Sequence, residues 1–316
     1  MDHDGASPTD ANERRAFDPD GRGSLATERG LAAASELDRL SPEEAFALFQ
    51  AEDAKLVGAL EDAREPILAA TALVTRALRG GGRLLYVGAG TSGRLGVLDA
   101  VECPPTFQSD PDQVQGILAG GERAMFDAVE GAEDDEQAAR RALTQRGVGP
   151  QDVVFGITAG GTTAFVHAAL AQASANGAAT VFLACVPFAE APDAADVSIR
   201  ILTGAEVLAG STRLKAGTAT KMALNRISTL AMVALGKVYG NRMVDLRANA
   251  NAKLRARALR MLHELTGLEN EALEALFVRA DGQVKLAALM HARTLSVDAA
   301  RERLHACGGS LRAALA

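Results

Sequence analysis

The chain has no Trp, two Tyr and ten Phe in 316 residues. With large rings so scarce, Ala, Leu, Val and Gly dominate, a composition that suits helices packed closely on a parallel sheet, although an Ala-rich coding bias gives the same count. Cysteine is equally sparse. Cys103, Cys185 and Cys307 form no C-x-x-C pair and are too scattered for a disulfide framework, so a reducing compartment fits. Five histidines, His3, His167, His263, His291 and His305, show no ligand spacing with Cys or Asp, which argues against a metal site. The sequence lacks any apolar run of about 18 residues, and its Met-Asp-His-Asp start lacks a basic-then-apolar leader pattern. The expectation is a cytoplasmic protein with no membrane partner. A formal net charge of −7 excludes the broad positive field of non-specific nucleic-acid binders, so no nucleic-acid partner is expected. What is present, 48% hydrophobic and 23% charged residues, is enough for one large domain plus a smaller one.

Residues 1–24 are rich in Asp, Arg, Gly and Pro without periodicity and read as a disordered tail. Ser41-Pro42-Glu43-Glu44 offers an N-cap, a proline in the first turn and a capping-box glutamate. The apolar residues that follow predict two helices ending at Gly80-Gly81-Gly82. Five short apolar runs then alternate with helical stretches: Leu84–Val87, Val114–Leu118, Val153–Ile157, Thr180–Cys185 and Val197–Leu202. That alternation predicts an α/β domain with a parallel sheet over residues 25–250, whose ligands gather beyond the carboxyl ends of the strands. A long helix is expected from Ser211 to Val238. Residues 251–316 read as a helical subdomain of three or four short helices, two of them separated by Gly308-Gly309.

Three segments carry candidate chemistry. In the first, Gly88-Ala89-Gly90-Thr91-Ser92-Gly93-Arg94-Leu95-Gly96 places glycines, then hydroxyls, then a helix start directly after a strand. Backbone N–H groups there favour an anion, with Gly90, Thr91, Ser92 and Gly93 as ligands. The same glycines satisfy G-x-G-x-x-G, but the first acid past the second strand, Glu122, lies 34 residues after Gly88, too far for the ribose-binding acid of a dinucleotide site. A tight structural turn is the remaining alternative. The second segment, Asp99-Ala100-Val101-Glu102-Cys103-Pro104-Pro105, holds a carboxylate just ahead of two prolines expected to end the helix. It pairs with an acidic cluster, Glu130-Gly131-Ala132-Glu133-Asp134-Asp135; two carboxylates with separated pKa values supply an acid and a base. Solvated surface acids are the plainer alternative. In the third, Glu206 precedes Ser211, Thr212, Arg213 and Lys215, whose hydroxyls and cations suit a phosphate.

Taken together, the segments Gly88–Phe107, Ala128–Asp134 and Glu206–Lys221 resemble the N-acetylmuramic acid 6-phosphate etherases, which are built on a sugar isomerase (SIS) domain; weaker similarity runs from about Thr27 to the C-terminus. The resemblance implies a three-layer, flavodoxin-like SIS domain with N-terminal helices. It also implies cleavage of the D-lactyl ether of a sugar phosphate by elimination and water addition, with Glu102 as the acid on the leaving lactate and Glu133 as the second carboxylate, plausible as the base at C2. No cofactor or metal is implied, and a homodimer is. Where the family usually reads Ala-Ser-Gly-Arg-Thr-Pro, this chain has Ala159-Gly160-Gly161-Thr162-Thr163-Ala164, so phosphate would rest there on N–H groups and the two threonine hydroxyls. The serine usual before Glu102 is Val101, and the residues after Thr27-Glu28 also depart from the family, around Arg29-Gly30-Leu31. Two other readings share the SIS domain: a non-catalytic sugar-phosphate sensor resembling the glucokinase regulatory proteins, and an isomerase or amidotransferase partner.

Overall fold

The computed structural model describes residues 23–246 and 252–316. The tail expected over residues 1–24 therefore lies almost wholly outside the described residues, as does the boundary between 250 and 251. The first regular helix, α1 (Pro42–Asp53), opens on the expected capping box. The Glu44 N–H donates to Ser41 Oγ at 3.2 Å, and the Ser41 N–H donates to the Glu44 carboxylate at 2.8 Å. Among the described residues three α-helices precede the sheet instead of two, because α2 (Leu56–Asp62) and α3 (Arg64–Arg79) are separate. Pro66 in the first turn of α3 cannot donate back across the junction, which breaks what the apolar pattern alone joins.

Among the described residues five parallel strands form one sheet: β1 (Leu84–Gly88), β2 (Val114–Leu118), β3 (Val153–Ile157), β4 (Ala179–Ala184) and β5 (Val197–Arg200), in the order β2-β1-β3-β4-β5. Alternate residues divide between two apolar layers. Leu84 and Tyr86 face α3, α4 (Gly90–Phe107) and α7 (Lys215–Ala234), whereas Leu85 and Val87 face α5 (Glu136–Gln145) and α6 (Ala164–Ala175). The result is the three-layer α/β arrangement expected. Its strand order reverses between β1 and β3, where Gly88 lies in register with Ile157, and the crevice beyond that switch point is the natural ligand position.

The long helix is shorter than the predicted Ser211–Val238. Residues 211–214 form a turn closed by the Leu214 N–H on the Ser211 carbonyl, and Gly236 at φ 74° follows the other end. Beyond it, among the described residues, lie five helices instead of three or four: α8 (Ala252–Thr266), α9 (Asn270–Arg279), α10 (Val284–Arg293), α11 (Val297–Ala306) and α12 (Leu311–Leu315). They bury their own apolar cluster around Leu262, Phe277, Leu286 and Leu289. Gly308 and Gly309, both at positive φ, separate α11 from α12 as expected. A buried Lys285 on Asp245, at 2.7 Å, ties this helical part to the chain following α7.

Candidate functional site

At the end of β1 the chain turns through Ala89 into α4, and no side chain caps the helix. The Gly93 N–H already donates to the Ala89 carbonyl at 3.2 Å. The amides of Gly90, Thr91 and Ser92 precede that first intrahelical bond, the position at which free N–H groups and the helix dipole suit an anion. Gly93 has a different task from the one its position in the motif suggests. A Cβ there would sit 2.4 Å from the Gly88 carbonyl oxygen, so this glycine lets helix and strand touch and its amide is engaged inside the helix.

The loop after β3 flanks the same crevice. Thr158 Oγ1 accepts from the Gly161 amide at 3.1 Å and lies 3.0 Å from Thr163 Oγ1, while His167 Nε2 is 2.7 Å from the Gly161 carbonyl oxygen. Gly161 and Thr163 are thus engaged within the loop, and Gly160 lies against Leu25 and Thr27, while Thr162 is half-buried. Thr158 and His167 were not singled out in the sequence; the signal for Thr158 was a hydroxyl directly after an apolar strand. Gly161 sits at φ +81°, and a Cβ on it would meet Ala191 Cβ at 2.4 Å. Gly161→Ala is therefore expected to lower stability by roughly 2–4 kcal/mol, read as a fall in the urea midpoint at unchanged m. An unchanged midpoint would show that the loop has room the structure does not.

At the third segment, two expected ligands turn out to have partners within the chain. Glu206 is fully buried and accepts from the backbone amides of Lys215 and Ala216, both at 2.9 Å, so it caps the start of α7. Lys215 Nζ is buried on Glu52 Oε2 at 2.7 Å, and Lys55 Nζ holds the other oxygen at 2.6 Å. Burial pushes the Glu52 carboxyl up, but the bonds from Lys215 and Lys55 outweigh it and leave the group below the ordinary glutamate value. Ser211, Thr212 and the exposed Arg213 remain at the surface of the turn. Thr91 Cγ2 would lie 3.4 Å from a Cβ on Gly217, which brings the starts of α4 and α7 together.

The two candidate catalytic carboxylates are placed very differently. Glu133, in a one-turn 3-10 helix (Ala132–Asp134), lines a cavity of about 250 Å³ together with Gly90, Arg94 and Glu130. Glu102 is exposed near the other end of α4, twelve residues from Gly90, a rise of about 18 Å. The expectation that Pro104 and Pro105 end this helix is corrected: both lie inside α4, which ends at Phe107 and is followed by Gln108 with φ 50°. The two prolines cannot donate to the carbonyls of Ala100 and Val101, but the Gln108 N–H still closes the last turn on the Pro104 carbonyl at 3.0 Å. Around Glu102, Leu98 and Val101 are exposed on the outer face of α4. A larger cavity, about 640 Å³ between α4, β2 and α5, is lined mostly by apolar groups such as Val97, Ile117 and Phe165 and lacks the uncapped amides.

Two supports escaped the sequence reading. Arg94 donates through Nε to the carbonyls of Ala124 and Met125 at 3.0 and 3.2 Å and through Nη2 to that of Asp127 at 3.1 Å, fastening the loop that leads to Glu133. Asp99, buried under α4, accepts from Tyr86 Oη at 2.8 Å, Asn225 Nδ2 at 2.9 Å and Ser228 Oγ at 3.1 Å. Burial raises its carboxyl above the usual range despite those bonds. Among the described residues no group of His, Cys, Asp and Glu is arranged to hold a metal ion, and no helix is long and apolar enough to cross a membrane.

A flavodoxin-like parallel sheet with an uncapped glycine turn at its switch point defines a SIS-type α/β domain. Residues 67–174 match the family model described as the glucokinase regulatory protein N-terminal SIS domain. Along nearly the whole chain the similarity is to another group. The protein is 54% identical over 93% of its length to the N-acetylmuramic acid 6-phosphate etherase of Synechocystis, spanning 96% of that protein. It is 52% identical over 93% of its length to the etherase of Picosynechococcus, spanning 97% of that relative. For an etherase of Synechococcus the figures are 52%, 95% and 96%. The chain belongs to the N-acetylmuramic acid 6-phosphate etherase family. The regulator reading, supported over residues 67–174, is not favoured.

Proposed function

We propose that the protein is a carbon–oxygen lyase that cleaves the D-lactyl ether of N-acetylmuramic acid 6-phosphate, yielding N-acetylglucosamine 6-phosphate and D-lactate. The observation that carries this is the uncapped start of α4, whose Gly90, Thr91 and Ser92 amides share a cavity wall with the Glu133 loop through Gly90. The phosphate is held by those amides, with Ser211, Thr212, Arg213, Gly160 and Thr162 close to the same end of the sheet. In the open-chain aldehyde the C2 proton is acidified, and Glu133 removes it. The electron pair forms the C2–C3 double bond as the ether oxygen leaves C3, and Glu102 supplies the proton that releases lactate. Water then adds at C3, and a proton returns to C2.

Because Glu102 lies about 18 Å along α4 from the glycine turn, we place it at the site of a second copy. The exposed Leu98 and Val101 beside it suit such a contact, which makes the working unit a homodimer with each site drawing on both chains. The setting is cytoplasmic amino-sugar salvage from cell-wall material.

Incubation with N-acetylmuramic acid 6-phosphate in heavy-oxygen water is expected to release unlabelled D-lactate and to place the label at C3 of the product. Binding of the sugar phosphate without any lactate would remove the enzymatic reading in favour of a sensor.

A further inference from the structure

The segment just before the N-terminal helices packs against the loop after β3, where a Cβ on Gly160 would lie 3.3 Å from Leu25 Cδ1. Leu25 is buried in the apolar layer below α6, and Thr27 is fully buried. Glu190, in the turn after β4, clasps this strap: its Oε2 accepts from the Ala26 amide at 2.7 Å and its Oε1 from Arg29 Nη2 at 2.9 Å. Thus fixed, the strap touches two of the loops that frame the crevice. A Cβ on Gly160 would lie 3.6 Å from Thr27 Oγ1, whose hydroxyl has no hydrogen-bond partner among the described residues. A Cβ on Gly210 would lie 2.8 Å from Glu28 Oε2. Glu28 is exposed, and its carboxylate has no ion-pair partner among the described residues.

From this placement we infer that Glu28 is a substrate-contacting, specificity-determining residue, whose carboxylate accepts hydrogen bonds from hydroxyl groups of the bound sugar. The inference rests on the sugar-phosphate reading of this crevice. A carboxylate is acceptor-only when ionised and repels a phosphate dianion, so it selects the hydroxyl-bearing end of the ligand and sets the direction in which the sugar lies. Glu190 acts through Glu28 as a positioning residue, since the clasp fixes where the strap sits.

The test is calorimetric titration of the full chain and of Glu28→Gln with N-acetylglucosamine 6-phosphate and, separately, with inorganic phosphate. The substituted side chain is exposed, so thermal stability should not change. Sugar-phosphate affinity is expected to fall at least tenfold in the variant, while inorganic phosphate binds it no more weakly than the unsubstituted chain. KM for the etherase substrate should rise in step. Equal sugar-phosphate affinity in the two proteins overturns the role of Glu28 while leaving the etherase reading intact. Equal losses for sugar phosphate and inorganic phosphate also overturn it, because the effect is then not at the hydroxyl end. An unsubstituted chain that binds no sugar phosphate overturns both.

Discussion

Mixing Glu102→Gln chains with Glu133→Gln chains is expected to restore lactate release that neither variant shows alone. Each single variant should retain substrate binding and lose about 10²–10⁴-fold in turnover, the scale of a missing acid or base. If every site takes Glu133 from one chain and Glu102 from its partner, a mixed dimer contains one intact site and one doubly altered site. Random exchange at equal concentrations then recovers about a quarter of the unsubstituted rate, and a purified mixed dimer about half. The physical reason is the length of α4, which sets Glu102 about 18 Å along the helix from the Gly90 end. Co-expression with two different tags, followed by sequential affinity steps, isolates the mixed species for a lactate assay. No recovery in that species would mean that both carboxylates act within one chain, and the two-copy site would be wrong.

The second large effect concerns the buried Glu52–Lys215 pair. Glu52→Gln leaves the Lys215 ammonium in a nearly water-free position with no carboxylate partner, for which the expected loss is about 3–5 kcal/mol, or roughly 10 °C in Tm. Replacing both groups together, as Glu52→Leu with Lys215→Met, should recover most of that loss, because two apolar groups avoid the desolvation penalty altogether. A lowered Glu52 pKa gives the sign of the pH dependence. Its contribution is present above the unfolded-state value and fades as pH falls through the lower folded-state value, so the gap between the two proteins should narrow on acidification. Denaturant titrations at several pH values read this directly. A gap independent of pH, or a double variant no more stable than Glu52→Gln, would show that the pair is not what holds α1 against the start of α7.

Much of this architecture was legible in the sequence because it follows from local rules. The Ser41 capping box, the five apolar runs and the Gly308-Gly309 break each depend on a few neighbouring residues, and each formed where the pattern placed it, with strand ends shifted by a residue or two. Helix counts were less legible, since Pro66 divides a continuous apolar pattern without changing its period. At the candidate site, the glycine turn was readable as a strand-to-helix junction from the run of glycines after an apolar strand. The division of labour inside it was not: only packing shows that Gly93 is there for contact with Gly88 while the Gly90, Thr91 and Ser92 amides precede the helix ladder.

Polar side chains that find partners far along the chain were the least legible. Lys215 pairs across 163 positions with Glu52, and Asp99 gathers Asn225 and Ser228 across 126 and 129 positions. No spacing rule foretells such partners, because they depend on which helices share a face of the sheet. By itself, then, the sequence determined the strands, their parallel sheet and the glycine turn between β1 and α4, all products of periodicity and backbone stereochemistry. Only the tertiary structure decided which charged groups are internal struts, that Glu28 lies against Gly210, and that Glu102 and the glycine turn lie toward opposite ends of one helix. Those outcomes follow from burial, which requires a polar group in the interior to have a partner and leaves one at the surface open to a ligand.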